Sequence, residues 1–331
     1  DPAAVGQREA ATKEQKLRAD LRKQNVPDMQ LNTVEVVDEL IQSLRERHEL
    51  LVQQPRRTCT LPPYPRVDQE ILGKLGHLAL IEDDEVARVL SWHMSGDMDC
   101  LLTLTTEAAQ RIYAQTNGQQ QLLPLSSIFR RNLSAWNKPL PHMINGRPWF
   151  NVEGNPVYAR HLLIFPKHQE HCQTVFSQLL GDAIILDSLD TANRYRQEVV
   201  KSMFCPTLLT RNGERIRSNG KFGGQQNHAP LLAKLRGAVF GAPLPAQCQE
   251  LSNQIGYLQE LRSAIEQHND VQRELRLHVD EMRSPQMKQQ QVELRDSEQK
   301  LRSLEQKIGE AAAPITTSRD PHHHPDPRIP P

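Results

Sequence analysis

The sequence has few aromatic residues, no excess charge of either sign and no long apolar run. Phe, Trp and Tyr make up 5% of the 331 residues, and the formal net charge is +0. Any nucleic-acid or membrane partner must therefore be identified from local patches, because no global charge excess points to one. The longest apolar runs, such as AIILD, are too short to span a bilayer. The polar first residues, DPAAVGQREAATKEQK, also lack the apolar core of a secretory signal.

Paired cysteines and catalytic signatures are missing as well. No CxxC pair occurs, and the cysteines are odd in number and scattered: Cys59, Cys100, Cys172, Cys205 and Cys248. This distribution predicts reduced thiols and hence a cytosolic or nuclear protein. The chain has no GxxxxGKS/T phosphate loop, no GxSxG elbow and no HExxH zinc motif. We therefore predict no catalysis, no cofactor and no small-molecule substrate for this chain, which starts without Met and reads as a piece of a longer polypeptide.

Two histidine-rich stretches contain residue types that ligate metals. In HQEHC, His168, His171 and Cys172 lie on adjacent helical turns, but Cys172 belongs to an apolar helix face. The pattern favours a core thiol beside two surface histidines over a metal site. The other stretch, PHHHP at residues 321–325, lies in a low-complexity tail that is predicted to be disordered. No metal is predicted at either stretch.

Helical arms flank the centre of the chain. The first arm has apolar residues three and four positions apart, with His48 in the one gap: Val34, Val37, Ile41, Leu44 and Leu51. The second arm has apolar residues seven apart: Leu251, Leu258 and Ile265, then Leu294, Leu301 and Ile308. Such narrow stripes are typical of coiled coils, and neither stripe can be buried alone. We therefore predict that the arms pair as an antiparallel coiled coil.

The centre of the chain alternates strand and helix patterns twice. GHLALIE, CLLTLT and QQLLPL read as strands around the helices DDEVARVLSWHM and TEAAQRIYAQTNG. HQEHCQTVFSQLLG, DAIILD, the Ser188-capped SLDTANRYRQEVVKSM and CPTLLTRNGERIR repeat this order, with a turn at Asn212-Gly213. The alternation predicts α/β subdomains with mainly parallel sheets. Between them, a Pro- and Gly-containing connector has a hairpin signal at Asn145-Gly146.

The predicted fold class is therefore α/β, with two pseudo-repeated subdomains flanked by an antiparallel coiled coil. The predicted segments follow the composition shifts along the chain. They are a poorly ordered polar segment (1–30), the N-terminal arm (31–54), a Pro-rich linker (55–69), subdomain 1 (70–125), an irregular connector (126–166), subdomain 2 (167–245), the C-terminal arm (246–309) and a disordered tail (310–331).

The stretch IRSNGKFGGQQN contains a cluster of glycines. Ordering them costs more conformational entropy than ordering other residues, so the cluster suggests a structural or functional role. Gly220, Gly223 and Gly224 could cradle a phosphate, form a flexible loop or let another backbone approach closely. The phosphate cradle is disfavoured, since GKFGG does not match GxGxxG and follows a hairpin where such a motif would open a helix. Close approach of a second backbone is the interpretation that we favour.

Basic residues concentrate beside the glycine cluster. Between residues 194 and 221, seven basic residues and two acidic ones give a local charge of +5 in a neutral chain: Arg194, Arg196, Lys201, Arg211, Arg215, Arg217 and Lys221 against Glu198 and Glu214. Such a patch attracts phosphates without sequence preference. A merely solvated face has the same composition, so both interpretations stay open at this point.

These motifs together resemble the hinge domain of structural maintenance of chromosomes (SMC) proteins. The resemblance rests on the LPL strand end and on a closing TxxGxxI…G…GG pattern: Thr210, Gly213, Ile216, Gly220, Gly223 and Gly224. In that family the closing glycines lie where two hinges meet. The resemblance therefore implies a homodimer whose interface includes Gly220, Phe222, Gly223 and Gly224. The adjacent cations, Arg211, Arg215, Arg217 and Lys221, with Lys234 and Arg236, are the candidate DNA- or RNA-binding residues.

The wording NGKFGGQQNHAP and KLRGAVFGAPLP is similar to a vertebrate branch of this family. That branch implies a nuclear, chromosome-associated repressor of chromatin, including the inactive X chromosome, with a gyrase/Hsp90-type ATPase elsewhere in the parent polypeptide. Two alternatives stay open. One is a purely structural dimerisation hinge without nucleic-acid binding, and the other is a nucleotide-binding α/β enzyme.

Overall fold

The computed structural model describes residues 2–26 and 31–316. The described α-helices are α1 (Pro2–Lys23), α2 (Val34–Gln53), α3 (Leu75–Leu78), α4 (Asp84–His93), α5 (Thr106–Gln115), α6 (Gln169–Leu180), α7 (Leu189–Val199), α8 (Ala246–Arg283) and α9 (Pro285–Thr316). The strands are β1 (Ile71–Lys74), β2 (Leu101–Thr103), β3 (Leu122–Pro124), β4 (Met143–Ile144), β5 (Arg147–Pro148), β6 (Val157–Tyr158), β7 (Ile184–Leu186), β8 (Leu208–Thr210) and β9 (Arg215–Ile216). They form two compact units, one helical unit from both ends of the chain and one α/β unit at Leu50–Pro245.

In the helical unit, α2 and α8 run antiparallel. Asp38 pairs with Arg262 at 2.6 Å, and His48 hydrogen-bonds Ser252 at 3.2 Å, so the residue number falls along α8 as it rises along α2. The apolar stripe of α2 is buried at Val37, Ile41 and Leu44. The part of α8 that carries Leu251, Leu258 and Ile265 is buried too. The predicted antiparallel pairing of the arms is therefore confirmed for this part of the chain.

The first residues of the chain form a helix, although residues 1–30 were predicted to be poorly ordered. Helix α1 packs against α8 and buries Ala10, Leu17 and Leu21. The side-chain amide of Gln254 donates to the Gln24 carbonyl at 2.9 Å, close to the end of α1. Residues 2–23 contain too few apolar residues to predict a stable helix from the sequence. The helix forms because it packs its few apolar side chains against α8.

The C-terminal arm consists of two helices that meet at Ser284. Pro285 occupies the first position of α9, where its missing N–H costs nothing, and the Ser284 hydroxyl accepts from the Met287 N–H at 3.2 Å. Helix α9 extends to Thr316, so part of the tail predicted as disordered is helical, while residues 317–331 lie outside the described residues. The apolar residues that lie seven apart in α9 are exposed: Leu294, Leu301 and Ile308.

Replacing Ile41 by Asp is expected to destabilise the helical unit by roughly 2–3 kcal/mol, because an unpaired carboxylate would enter an apolar contact. Ile41 is only 5% exposed. Urea titration followed by circular dichroism at 222 nm measures the loss. Leu50→Asp, on the same helix at 65% exposure, makes the same chemical change in solvent and should be nearly neutral. Equal effects of the two changes would contradict burial of the α2 stripe.

The α/β unit contains the same arrangement twice. In the first sheet, β1 is antiparallel to β2 and β2 is parallel to β3; in the second, β6 is antiparallel to β7 and β7 is parallel to β8. A helix precedes each middle strand (α4 and α6), and another joins each parallel pair (α5 and α7). Strand β9 extends the second sheet as an antiparallel edge. The predicted pseudo-repeat is confirmed, but both sheets are mixed and not mainly parallel.

The strand predicted at GHLALIE is wrong. Strand β1 comes earlier, at Ile71–Lys74, and the next four residues form the short helix α3. Both pieces are buried, and a short buried apolar run has no periodicity that separates helix from strand. The helix predicted at SLDTANRYRQEVVKSM is shorter than its pattern, because α7 ends at Val199 and leaves Met203 39% exposed.

A shared core joins the two halves of the α/β unit. Leu90 and Leu102 of the first half belong to the same buried cluster as Phe176, Ile185 and Leu209 of the second. A satellite cluster under α7 is formed by Tyr158, Ile184, Ala192, Tyr195, Val199 and Leu208, among others. The halves therefore fold as one body, which fixes α4 of the first half against the turn after β8.

The segment at 55–69 was predicted to be a linker, but its first part is bonded to residues 237–242. Arg57 donates through Nε to the Phe240 carbonyl at 2.7 Å, and the Ala242 N–H donates to the Arg57 carbonyl at 2.8 Å. The Thr60 N–H donates to the Gly237 carbonyl at 3.0 Å. We call this segment the strap. Proline forbids helix here but permits an extended segment that pairs through neighbouring N–H groups.

The connector at 126–166 is irregular, as predicted, and holds the β4–β5 hairpin. Asn145 and Gly146 adopt φ of 52° and 78°, which is the geometry of a type I′ turn. The connector also carries the fully buried Arg160, which donates to Asp182 Oδ1 at 2.6 Å. Burial alone would raise the pKa of Asp182, but hydrogen bonds from Arg160, Ser134 and Lys138 outweigh it and lower this pKa.

Asp182→Asn is therefore expected to lower stability by about 1–2 kcal/mol at pH 7, because Arg160 keeps an acceptor but loses its counter-charge. A carboxylate whose pKa is lower in the folded state stabilises it fully above its unfolded pKa of about 4. That stabilisation is lost as pH falls through the folded pKa. Urea midpoints at pH 7 and pH 3 should therefore show a shrinking difference between the two proteins. A constant difference between the two proteins would contradict this assignment.

Candidate dimer and nucleic-acid interface

The segment at residues 217–227, here called the glycine loop, is closed by backbone hydrogen bonds. The Arg217 N–H donates to the Lys221 carbonyl at 2.9 Å, and the Gly220 N–H donates back to the Arg217 carbonyl at 2.8 Å. The loop leads into the 3₁₀ turn Gln225–Asn227 and does not open an α-helix. This placement gives no support to a nucleotide-binding phosphate loop, in which the glycines precede a helix N-terminus.

The three glycines of the loop have different surroundings. All have positive φ: 93° at Gly220, 80° at Gly223 and 79° at Gly224. A Cβ at Gly220 would lie 3.3 Å from Arg196 Nη2, whereas no described atom lies within 4 Å of a Cβ at Gly223 or Gly224. A side chain at Gly220 would therefore also crowd the flexible end of Arg196, while positive φ favours glycine at all three positions. Gly223 and Gly224 present open backbone to solvent, and Phe222 beside them is 53% exposed.

Asn227 links the glycine loop to two of the candidate arginines. Its Oδ1 accepts from Arg215 Nε at 3.2 Å and from Arg217 Nε at 3.0 Å. Its Nδ2 donates to the Gly223 carbonyl at 3.0 Å, and its backbone N–H donates to the Gly224 carbonyl at 3.2 Å. Guanidinium groups only donate and carbonyls only accept, so these partners fix the orientation of the amide.

Arg215 is directed into the protein. Its guanidinium lies 4.3 Å from the Trp92 ring centroid, in cation–π geometry. Nη1 donates to His93 Nδ1 at 3.2 Å, and Nη2 donates to the Gln226 carbonyl. Trp92 and His93 come from α4 of the first half, so Arg215 joins the two halves of the unit. This position makes it an anchoring residue more than a free phosphate ligand.

The pKa of His93 reflects first its burial and then the positive charge around it. Burial, followed by the charges of Arg215 and Arg217, lowers the pKa of His93 to about 4. The ring is therefore neutral at physiological pH, and its Nδ1 accepts from Arg215. Burial and the neighbouring Arg217 also lower the pKa of Arg215.

Other cations of the predicted patch are already paired. Arg211 binds Asp187 at 2.6 Å, and Lys201 binds Glu198 at 2.9 Å. Arg194 pairs with Glu153 at 2.7 Å and also with Asp190. Arg196 donates to the Ser218 carbonyl at 3.1 Å, beneath the glycine loop. These pairs reduce the positive charge that each residue presents to a ligand.

Arg217 and Lys221 are exposed and make no ion pair with any described carboxylate. Only Nε of Arg217 is bonded by the protein, so its two terminal nitrogens have free N–H groups among the described contacts. The closed loop places the Lys221 carbonyl 2.9 Å from the Arg217 nitrogen, so the side chains start from adjacent backbone. These are the two cations of the patch that the structure leaves most available.

The remaining candidates lie apart from this hydrogen-bond network. Lys234 lies in the 3₁₀ turn Leu232–Leu235, and Arg236 follows it with φ of 52°. Both are exposed, and no hydrogen bond within the described part of the chain joins them to the glycine loop. Their part in nucleic-acid binding, like the dimer contact at the glycines, stays a prediction.

The histidine-rich stretch in α6 is arranged as the sequence favoured. Cys172 is fully buried, and the rings of His168 and His171 lie 6.5 Å apart. Across residues 2–26 and 31–316, no three His, Cys, Asp or Glu side chains form a group that could hold a metal ion. The PHHHP stretch lies outside the described residues. Within the same ranges, the helices are too short or too polar to cross a membrane.

Sequence reasoning missed the partners Trp92, His93 and Asn227. Trp92 and His93 lie more than a hundred positions from Arg215 in the sequence, so no local pattern could connect them. A weak signal for Asn227 was available. An amide that closely follows paired glycines in a loop is a frequent partner for backbone groups.

Comparisons with known proteins give one family. The sequence model described as the flexible hinge domain of SMC proteins matches residues 68–196. The chain is 49% identical over 316 residues to human structural maintenance of chromosomes flexible hinge domain-containing protein 1, covering 96% of the chain and 16% of that protein. It is 50% identical over 301 residues to the mouse protein of the same name, covering 91% and 15%. The chain therefore spans about a sixth of the length of these relatives.

Solved structures of SMC hinge domains are also similar to this chain. An asymmetric dimer of the Geobacillus stearothermophilus hinge matches with a TM-score of 0.38 and 18% identity, over 81% of this chain and 98% of that one. The Pyrococcus furiosus hinge with an extended coiled coil matches with a TM-score of 0.33 and 16% identity, over 85% and 96%.

Proposed function

Since residues 68–196 belong to the flexible hinge domain family of SMC proteins, we propose that this chain is the homodimerising hinge module of a chromatin-associated protein. The open backbone at Gly223 and Gly224, with exposed Phe222 beside it, supports a dimer contact at the glycine loop. A backbone without Cβ atoms allows a second backbone to approach closely. The two arms pair as antiparallel helices within the helical unit, as expected for a coiled coil.

The module also binds DNA or RNA without strong sequence preference. The observation that carries this proposal is the exposed pair Arg217 and Lys221, which no described carboxylate neutralises. Phosphate contacts fix position and contribute affinity, but they carry no sequence information. Arg211 and Arg215 add to the local positive field, and Lys234 and Arg236 are weaker candidates.

In the cell, the proposal places the parent protein in the nucleus, on chromosomes. There it supports chromosome organisation and gene silencing such as X-chromosome inactivation. Identity of about one half over nearly the whole chain to proteins named for the maintenance of chromosomes supports this assignment. The proposal gives this chain no catalytic step, and it assigns a gyrase/Hsp90-type ATPase to a part of the parent outside it.

The rival is a purely structural hinge, and one observation favours it: Arg194, Lys201 and Arg211 are already paired with carboxylates. Two measurements on the wild-type chain decide between them. Fluorescence anisotropy with single- and double-stranded DNA and RNA, from 50 to 200 mM salt, should show affinity that falls steeply with salt. Mass in solution, with and without residues 1–54 and 246–331, should show a dimer. A dimer that binds none of the nucleic acids would leave the structural hinge.

A further inference from the structure

We propose that Asn227 is a positioning residue for nucleic-acid binding, because it holds the Arg217 guanidinium ready for a phosphate. This inference rests on the proposed function and adds an uncharged residue that the charge of the basic patch does not identify. Asn227 carries no charge and is half-buried, so its effect on binding must pass through its neighbours. The neighbours it contacts are the two arginines and the glycine loop.

Arg215 and Arg217 differ in how many groups of the protein hold them. Arg215 is held on four sides, by Trp92, His93, the Gln226 carbonyl and Asn227. Arg217 is held only through Nε, by the same Asn227 oxygen. One amide oxygen therefore ties the free guanidinium to the anchored one. The terminal nitrogens of Arg217 remain for a ligand, in the planar fork that binds two phosphate oxygens.

Asn227 itself is held in place from its other side. Its Nδ2 bonds the Gly223 carbonyl, and its backbone N–H bonds the Gly224 carbonyl. Rotation of the amide would break these contacts and would turn donors toward two guanidinium groups. The side chain therefore has one satisfied orientation, and Arg217 is restricted before any ligand arrives.

Restriction before binding raises affinity, because a free side chain must be ordered when it binds. Ordering one long side chain at an interface costs enough to reduce affinity about 2- to 10-fold. Removing Asn227 should therefore weaken binding while Arg217 still makes its phosphate contact. The number of phosphate contacts sets the slope of log affinity against log salt. Affinity should fall and the slope should stay the same.

The test compares wild type, Asn227→Ala, Arg217→Ala and the double variant, by anisotropy with single-stranded DNA at several salt concentrations. Asn227→Ala should bind about 2- to 10-fold more weakly with an unchanged slope. Arg217→Ala should lower the magnitude of the slope by about 0.7–0.9. In the Arg217→Ala background, Asn227→Ala should have no further effect, since the two residues act as one unit.

Controls separate positioning from general damage to the loop. Gln225→Ala truncates an exposed amide in the same loop and should leave affinity and slope unchanged. Asn227→Asp keeps an acceptor for both arginines but adds a negative charge, so its slope should fall as in Arg217→Ala. This variant carries the test if Asn227→Ala does not fold.

The results for the wild type and the variants separate nucleic-acid binding by the chain from the positioning role of Asn227. A wild-type chain without salt-dependent binding would overturn the proposed nucleic-acid binding and this inference with it. Wild-type binding with an Asn227→Ala effect that persists fully without Arg217 would overturn only the positioning role. Wild-type affinity in Asn227→Ala, or wild-type affinity and slope in Asn227→Asp, would overturn it as well.

Discussion

Reversing Arg217 and Lys221 together to Glu is expected to weaken binding to DNA or RNA roughly a hundredfold at low salt. Each reversal removes one phosphate contact and adds one repulsive charge. The slope of log affinity against log salt should lose about 1.4–1.8, which is the contribution of two contacts. Discrimination between sequences should barely change, because phosphates carry no sequence information. Anisotropy titrations between 50 and 200 mM salt measure both quantities.

The matched control for this change is Arg194→Glu with Lys201→Glu. These residues are also exposed cations of the patch, but each is paired with a carboxylate. The net charge of the control equals that of the test variant, so a difference between them reports location and not global charge. Equal losses in the two variants would mean a diffuse electrostatic attraction without a defined contact at the glycine loop.

Gly224→Val is expected to raise the dimer dissociation constant at least tenfold while costing each monomer about 1–2 kcal/mol for a branched side chain at positive φ. In a two-fold symmetric interface both chains contribute the same residue, so the substitution adds a valine side chain from each chain to the contact. Phe222→Ala should weaken the dimer in the same direction by removing an apolar contact. Analytical ultracentrifugation over a concentration series measures the dissociation constant.

Gly146→Val provides the control for the glycine. Gly146 has φ of 78° and open surroundings, as Gly224 has φ of 79°, but it lies in the β4–β5 hairpin. Both variants put a branched side chain at positive φ, but ψ of 163° at Gly224 adds to the backbone penalty there, so urea titration measures the monomer stability of each variant beside its dimer constant. If Gly224→Val keeps the wild-type concentration midpoint of the dimer, the paired glycines serve a local turn and the dimer contact lies elsewhere.

The longer helices of the α/β unit were predictable because their signals are local, unlike the four-residue α3. Helix α7 begins after Ser188, whose hydroxyl caps the Thr191 N–H, and its buried face follows the helical period through Ala192, Tyr195 and Val199. Such signals need no knowledge of the rest of the fold. The short strands could not be placed as well, because two to four residues contain at most two periods of alternation. The prediction for residues 1–30 was wrong for another reason, because helix α1 is stabilised by packing against α8, which is distant in the sequence.

The sequence predicted which basic residues make up the candidate site, but not which arginine is anchored and which is available to a ligand. Arg215 and Arg217 lie two positions apart on either side of the buried Ile216, so a strand pattern puts both on one face. Nothing local tells which of them meets Trp92 and His93. That contact depends on α4, which the shared core holds against the second sheet. The sequence could therefore predict a basic face but not which arginine stays free.

The strap has a mechanical consequence. The chain enters the α/β unit through the strap and leaves it just after Ala242, and Arg57 bonds both Phe240 and Ala242. A tensile load that draws these two segments apart must therefore break that pairing before it reaches the strands. The hydrogen bonds of Arg57 to Phe240 and Ala242 therefore bear such a force before the two short sheets, of three and four strands, do.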